Sequence, residues 1–307
     1  MKRDLLAAGR PTRIVGADPC GRPVPLHRLY TLRALFPLVL LSLFFAACGG
    51  TTGSSSGGSA TSTPTQKATT LNIFAAASLT ESFKEIGPKF QAAHNGVTVK
   101  FNFAGSQALE QQIASGAAAD VFASADQANM TKATNASLVN SPQVFARNKL
   151  VVIVPVNNPG KINSLKDLAN KGVKIDIEAP AVPAGKYSLQ VLDNMAKSSQ
   201  FGPSYESAVK SNFISQEDNV KAVVNKVQLG EADAGFVYLT DVTASVSSKV
   251  KEITIPDNFN VVAQYPIAVI KNSANSSVAQ QFVQYILSSD GQAVLQKYHF
   301  ISAGSAA

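Results

Sequence analysis

The stretch FAAASLTESFKEI, residues 74–86, changes from a short apolar strand into an amphipathic helix, with Ser78 at the junction. The apolar side chains that follow recur at the spacing of one helical face: Leu79, Phe83, Ile86 and Phe90. This stripe predicts a helix that packs in a core rather than against a membrane. Two interpretations of Ser78 are open. It caps the helix, or it belongs to an anion site, because a helix start offers N–H donors and a positive dipole end.

Short apolar runs alternate with helical patterns along the rest of the chain. The runs are LNIFAAA (71–77), VTVKFNFAG (97–105), DVFASA (120–125), LVVIVP (150–155), VKIDIEA (173–179), AGFVY (234–238) and YPIAVI (265–270). Alternation of this kind predicts an α/β fold with largely parallel sheets.

A second helix is predicted from about Glu217 to Leu229, with Ser215 as its cap and Gly230 at its end. Its apolar stripe consists of Val220, Val223, Val224 and Val227. The acidic pair Glu217 and Asp218 would then lie in the first turn, where negative charge favours the helix dipole. We interpret the pair as structural rather than as acid–base machinery.

The net charge of +7 does not indicate nucleic-acid binding, because it is concentrated at the start of the chain. Seven of the 27 Lys and Arg residues precede Cys48, against two of the 20 Asp and Glu residues. The remainder is nearly neutral, contains no Trp and has no basic residues interleaved with aromatics.

The first 47 residues are interpreted as a secretion signal with an N-terminal extension. Arg28 and Arg33 precede the apolar run 34–47, which is shorter than the roughly 20 residues of a membrane-spanning helix. FAAC, residues 45–48, resembles the lipobox of bacterial lipoproteins, although Phe45 replaces the usual Leu. We expect Cys48 to be lipidated, with residues 48–70 as a Gly/Ser/Thr linker.

The residues beyond the linker lack the motifs of common enzymes. Neither His94 nor His299 has a second metal-ligating residue at a suitable spacing, and residues 71–307 contain no GxSxG, Walker A, HExxH or GxGxxG motif. We therefore expect no catalytic residues, no protein-bound metal and no cofactor.

Five fragments occur in an order and at spacings similar to those of one family. They are FAAASL, GAAADVFASAD, VPAGKY, GEADAGFVYLTD and YPIAVI. Through them the chain resembles the periplasmic molybdate-binding proteins of ABC transporters, the ModA type, over residues 71–301. The resemblance implies a two-lobed α/β fold of the class II periplasmic-binding-protein kind, each lobe being a mostly parallel sheet flanked by helices.

The resemblance also implies how the chain is divided between the lobes. Two crossings, NKLVVIVP (148–155) and VAQYPIAVI (262–270), would form the hinge. Lobe 1 would contain residues 71–150 and 265–307, and lobe 2 residues 151–264.

Carried over position by position, the resemblance implies five ligand-binding residues. Ser78 and Ser106 would bind the oxyanion through hydroxyl and backbone N–H, Ala184 and Val220 through backbone N–H, and Tyr238 through its phenol. Gly105 and Gln107, on either side of Ser106, depart from the family pattern. Ser106 as a plain cap, Tyr238 as a core aromatic and Ala184 as a packing residue remain open alternatives.

Neutral donors suit such a ligand. A tetrahedral dianion without a proton only accepts hydrogen bonds, so a dry site needs donors on all sides and no carboxylate. Together with the signal segment and the lipobox, the resemblance implies a lipid-anchored, extracytoplasmic and monomeric binding protein. It would deliver molybdate, and also tungstate, to the membrane permease of an ABC importer.

Three alternatives remain. A receptor for sulfate or another tetrahedral oxyanion would use the same donors. A ferric-iron receptor would need clustered tyrosines and carboxylates. A hydrolase with Ser78 or Ser106 as nucleophile would need a nearby His.

Overall fold

The computed structural model describes residues 68–304. The predicted signal, Cys48 and the linker up to residue 67 lie outside the described residues. The described part falls within one compact unit. None of the helices in residues 68–304 combines the length and apolar character that crossing a membrane requires.

The described residues form eleven strands and nine α-helices. The strands are β1 (Thr69–Ala76), β2 (Val97–Ala104), β3 (Val121–Ala123), β4 (Val139–Asn148), β5 (Leu150–Pro155), β6 (Ile175–Glu178), β7 (Phe213–Glu217), β8 (Ala234–Tyr238), β9 (Val250–Thr254), β10 (Ala263–Ile270) and β11 (Ile301–Ser302). The helices are α1 (Thr80–Ala93), α2 (Ser106–Ala114), α3 (Gln127–Asn135), α4 (Pro183–Ala196), α5 (Tyr205–Lys210), α6 (Val220–Leu229), α7 (Ala244–Ser247), α8 (Ser276–Leu287) and α9 (Ser289–Lys297). Short 3-10 turns cover Ala77–Leu79, Leu165–Ala169 and Leu239–Asp241.

The strands make two sheets. The first has the order β11-β4-β10-β3-β1-β2, and the second has the order β7-β6-β8-β5-β9. We call the first sheet with α1, α2, α3, α8 and α9 the first half, and the second sheet with α4, α5, α6 and α7 the second half. The chain passes from the first half to the second at Lys149 and returns through residues 255–262. Both predicted crossing segments lie at these passages, whereas the lobe boundaries themselves stay a prediction.

The sheets are mixed rather than mostly parallel. β1 runs parallel to β2 and β3, and β6 runs parallel to β7 and β8. Strands next to the two passages run the other way: β10 is antiparallel to β3 and β4, and β5 is antiparallel to β8 and β9. The strand that follows each passage enters its sheet antiparallel to its neighbours, whereas a βαβ crossover would place it parallel to them.

The predicted apolar stripe of α1 is confirmed. Leu79, Phe83, Ile86 and Phe90 are all completely buried. Phe83 and Phe90 make edge-on contacts with the Phe282 ring of α8, which fixes this helix pair on one face of the first sheet. Alternate side chains of β1 point to the other face, where Phe74 packs in a separate cluster with α2 and α3.

The predicted start of the second helix is wrong. Residues up to Glu217 form strand β7, which pairs with β6, and α6 begins only at Val220. Asn219 is the cap, since its side-chain oxygen accepts from the N–H of Ala222 at 3.2 Å. Glu217 therefore lies outside the helix and forms an ion pair with Lys226 instead. The predicted end is confirmed: Gly230 follows α6 with a φ of 74°, which glycine adopts without strain.

Candidate ligand-binding site

A small cavity lies where the ends of several elements from both halves meet. The first half contributes residues 76–78, 104–106 and Ala125, and the second half contributes Glu178, Pro183, Val220 and Tyr238. The space open to the centre of a water molecule inside it is about 10 Å³, which is room for about one water molecule. The halves are therefore closed over this point.

Ser78 lies in the 3-10 turn between β1 and α1 and is 4% exposed. Its side chain does not cap α1, which begins after Leu79 without a side-chain cap. The hydroxyl instead lies 2.9 Å from the hydroxyl of Tyr265, a residue of β10. Of the two interpretations of Ser78 as a cap or a site residue, the structure excludes the side-chain cap.

Ser106 is the first residue of α2 and is 1% exposed. Its hydroxyl accepts a hydrogen bond from the N–H of Ala125 at 2.9 Å, so its own proton is available to donate. Gly105 precedes it in an extended conformation and gives α2 no side-chain cap. Ser106 is thus placed at a helix start beside the cavity without serving as its cap.

Val220 and Ala184 lie in the first turns of α6 and α4. Val220 is buried, as its place in the apolar stripe of α6 predicts, and it lines the cavity. Ala184 is completely buried but is not among the lining residues, whereas its neighbour Pro183 is. The N–H of Ala184 donates to Glu178 Oε2 at 2.6 Å and is therefore occupied in this structure.

Tyr238 ends β8 and is 1% exposed. Its hydroxyl is buried and has no hydrogen-bond partner among the described residues. Burial raises the pKa of this phenol well above its usual range, so it remains a neutral donor. An unpaired buried hydroxyl is costly, which makes the Tyr238 hydroxyl the clearest sign that the cavity receives an acceptor.

Tyr265 and Glu178 are the residues that sequence reasoning missed. The hydroxyl of Tyr265 bonds both Ser78 and the amide of Asn148, at 2.9 and 3.2 Å, and its ring meets that of Tyr238 edge-on. The position of Tyr265 within the second predicted crossing, residues 262–270, was the available signal. It holds Ser78 in place from the strand that returns to the first half.

Glu178 corrects the expectation of a site without a carboxylate. It ends β6, is 3% exposed and lines the cavity. Its Oε2 accepts from the N–H groups of Ala184 and Gly185, at 2.6 and 3.2 Å. Burial raises its pKa to about 8 despite these two bonds, so the group is mostly neutral at pH 7.

Three contacts close the halves around the cavity. The side-chain amide of Gln107 donates to the carbonyl of Asp218 at 3.1 Å. A Cβ on Gly105 would lie 2.2 Å from that same carbonyl, so only glycine permits this approach. Farther out, Lys221 of α6 pairs with Glu81 of α1 at 2.7 Å.

The structure also places the two histidines of residues 68–304. The ring of His94 stacks on Phe90 and its Nδ1 lies 2.8 Å from the Phe90 carbonyl. His299 adopts a φ of 66° between α9 and β11. Neither lines the cavity, and within the described part no three His, Cys, Asp or Glu side chains are grouped as a metal site would need.

Four of the five predicted residues line one cavity: Ser78, Ser106, Val220 and Tyr238. The fifth, Ala184, lies one residue behind the lining with its N–H turned to Glu178. Their role as ligand donors stays a prediction.

Comparison with known proteins gives consistent results over this region. The profile of the bacterial extracellular solute-binding proteins matches residues 71–301. The molybdate-binding protein ModA of Mycobacterium tuberculosis is 39% identical over 238 residues, covering 77% of this chain and 86% of the relative. A putative ABC transporter substrate-binding lipoprotein of Bacillus subtilis, YvgL, is 31% identical over 249 residues, covering 78% and 89%.

Solved structures agree. The substrate-binding domain of a putative molybdenum ABC transporter from Clostridium difficile matches with a TM-score of 0.57 and 31% identity, covering 76% of this chain and 99% of that one. The sulfate-binding protein SubI of Mycobacterium tuberculosis matches with a TM-score of 0.68 and 17% identity, covering 77% and 88%. The second likeness concerns the fold alone. The predicted two-lobed binding-protein fold is confirmed.

Proposed function

Because the chain belongs to the family of bacterial extracellular solute-binding proteins, as the match over residues 71–301 shows, we propose that its solute is molybdate, and also tungstate. Membership of this family makes the chain an extracytoplasmic binding protein and not an enzyme, as the sequence predicted. The proposal for the solute is supported by the relatives named for molybdate or molybdenum.

The observation that carries the proposal is the buried Tyr238 hydroxyl without a partner. Tyr238 lines the same cavity as Ser78 and Ser106, so the two halves together supply three hydroxyl-bearing residues to its lining. The lining contains no Lys or Arg. Such a set suits a small ligand that only accepts hydrogen bonds, and charge-assisted bonds to it contribute about 1.5–3 kcal/mol each.

Neutral donors also favour release. A fixed Lys or Arg would hold the dianion by a buried ion pair, whose rupture is costly. Hydroxyl and amide donors can be exchanged for water when the halves separate. The ligand would therefore be bound in the closed arrangement and passed to the permease of an ABC importer after opening.

The cavity has room for about one water-sized group in this closed arrangement, which argues against a larger organic solute. Sulfate or another tetrahedral oxyanion is the second candidate, because it would use the same donors. The length of the oxygen-to-centre bonds then decides the selection, since the closed halves fix the distances between donors.

Membrane attachment through Cys48 is part of the proposal. FAAC before a Gly/Ser/Thr linker supports it, and YvgL is named a lipoprotein. The protein would act as a monomer above the membrane.

Isothermal titration calorimetry of the purified protein tests the solute. Molybdate and tungstate should bind at least a hundredfold more tightly than sulfate and hydrogen phosphate. Equal binding of sulfate would reassign the solute, and no binding of any of the four would refute the oxyanion site.

A further inference from the structure

Glu178 lies where a ligand oxygen would be expected. The residue ends β6 and its side chain lines the cavity. Its Oε2 accepts from Ala184 and Gly185, the second and third residues of α4. The first of these N–H groups is a predicted donor to the ligand, so the carboxyl group and the ligand share one donor.

The backbone holds Glu178 in this position. A Cβ on Gly185 would lie 2.3 Å from the carbonyl oxygen of Glu178 and 2.2 Å from that of Ala179. The start of α4 therefore packs directly on the end of β6, which only glycine permits. This packing holds the N–H groups of Ala184 and Gly185 beside the carboxyl group of Glu178.

The surroundings of Glu178 disfavour its charge. Besides burial, the negative charges of Asp241 and Asp126 raise the pKa of Glu178. Burial, together with the charge of Asp126, also raises the pKa of the Tyr187 and Tyr238 phenols. Lys221 is paired with Asp241 and Glu81. Glu217 of β7, which lies in register with Glu178 of β6, is paired with Lys226. Asp241 and Glu217 are thus each paired with a lysine, and neither Lys221 nor Lys226 forms an ion pair with Glu178.

We propose that Glu178 is a further binding residue that takes part in binding as the neutral acid. With its proton it donates an O–H bond to an oxygen of the oxyanion, and without the proton it competes with the oxyanion for the N–H groups of Ala184 and Gly185. This inference deepens the proposed function and rests on it.

The chemistry of the ligand supports the protonated form. Molybdate and sulfate carry no proton at neutral pH and can only accept, so an ionised Glu178 would offer them nothing but repulsion. The neutral acid adds a further donor to those of Ser78, Ser106 and Tyr238. Burial raises the pKa of Glu178 to about 8, so below that pH the group is already neutral before the ligand arrives.

Binding is therefore linked to proton uptake from solvent above about pH 8. A bound dianion raises the pKa of Glu178 further, so the complex keeps a proton that the empty protein has lost. In this range the affinity falls by up to about tenfold per pH unit, whereas below about pH 7 it is constant. Tyr238, Tyr265 and Lys221 do not interfere, because the pKa of each is raised above its usual range near or above 10.

Calorimetry with molybdate on the purified protein tests this between pH 6 and 9.5. At pH 9, titrations in buffers of different ionisation enthalpy should show the uptake of close to one proton per bound ion. The affinity of Glu178→Gln should not vary with pH, because an amide keeps a donor and cannot ionise. Glu252→Gln, the same change on exposed β9, should keep the wild-type pH profile.

The outcomes separate the two proposals. Absence of molybdate and sulfate binding at pH 6 refutes the oxyanion site itself. Binding at pH 6 with no proton uptake at pH 9 in the wild type refutes only the role of Glu178. The wild-type proton count decides the question even where Glu178→Gln fails to fold.

Discussion

Lys221 Nζ lies 2.7 Å from Glu81 Oε2 and 3.0 Å from Asp241 Oδ1, so one ammonium group joins the first turns of α1 and α6 to the buried end of the second half. Asp241 is completely buried, whereas Glu81 is about one third exposed. Burial lowers the pKa of Lys221, but the charges of Asp241 and Glu81 outweigh it. The ion pair with Glu81 therefore joins the first half to the second.

Glu81→Gln should weaken ligand binding without unfolding the protein. The change removes the ion pair across the halves and leaves Lys221 paired with Asp241. A partly exposed pair contributes about 0.5–1 kcal/mol, so the affinity should fall by a few fold, and less at high salt. Calorimetry at two salt concentrations measures this, with Glu231→Gln, an exposed position, as the control. An unchanged affinity at low salt would contradict the role of the pair in closure.

Tyr238→Phe should weaken binding while leaving stability unchanged or improved. The hydroxyl has no partner in this structure, so its removal leaves no group unpaired and relieves a buried polar atom. The affinity should fall by about 1–3 kcal/mol. Tyr265→Phe is the informative contrast, since it removes bonds to Ser78 and Asn148 and should lower the thermal midpoint. A loss of stability in Tyr238→Phe, measured by thermal unfolding, would contradict this assignment.

Gly105→Ala should prevent full closure of the halves. The backbone at Gly105 has a φ of −61°, which alanine adopts freely, so the first half should fold normally. The added methyl group would lie 2.2 Å from the Asp218 carbonyl across the cleft. We expect an affinity loss of more than about tenfold, as for a clash in a packed core. Gly304→Ala, where the methyl group meets open space, is the control.

The stability of the unliganded protein should depend on pH through Glu178. The folded state keeps the proton up to a pKa of about 8, whereas the unfolded chain releases it near the ordinary value of 4.5. The free energy of unfolding therefore falls as pH rises between these values. Glu178→Gln lacks this contribution, so its stability relative to the wild type should increase from pH 5 to pH 8.

Urea unfolding at pH 5, 6.5 and 8 measures that difference. Asp176, whose pKa burial raises to about 6, is present in both proteins, so its contribution cancels. Parallel stability curves for the two proteins would show that Glu178 is ionised at neutral pH.

Cys48→Ser should release the protein from the membrane fraction. Cysteine supplies the only atom in FAAC that a thioether-linked lipid can use, and serine cannot replace it. Fractionation of expressing cells, with Cys20→Ser as the matched control, measures the distribution. Retention of the Cys48→Ser protein in membranes would refute the lipid anchor.

Local patterns in the sequence predicted those elements whose burial depends on their own residues. AGFVY coincides with β8, LVVIVP with β5, and the stripe from Leu79 to Phe90 is buried as expected. Strand β7 was missed because its signal is weak and it owes its conformation to pairing with β6, which lies far away in sequence. Acidic residues at its end then resembled a helix start.

In the candidate site, too, some residues could be predicted from the sequence and one, which depends on distant packing, could not. The resemblance to a known family indicated all five predicted residues, and four of them line the cavity. Glu178 could not be found in this way, because its meeting with Ala184 depends on the close packing of α4 on β6 through Gly185. A short strand with alternating Asp176 and Glu178 gave no sign of which carboxylate would face a helix start.

The position of β10 between β4 and β3 has a consequence for how the nascent chain acquires its structure. Every strand of the second sheet has been synthesised by Thr254, whereas the first sheet lacks an inner strand until Ile270 has emerged. The half that begins the chain is therefore the last that can finish folding.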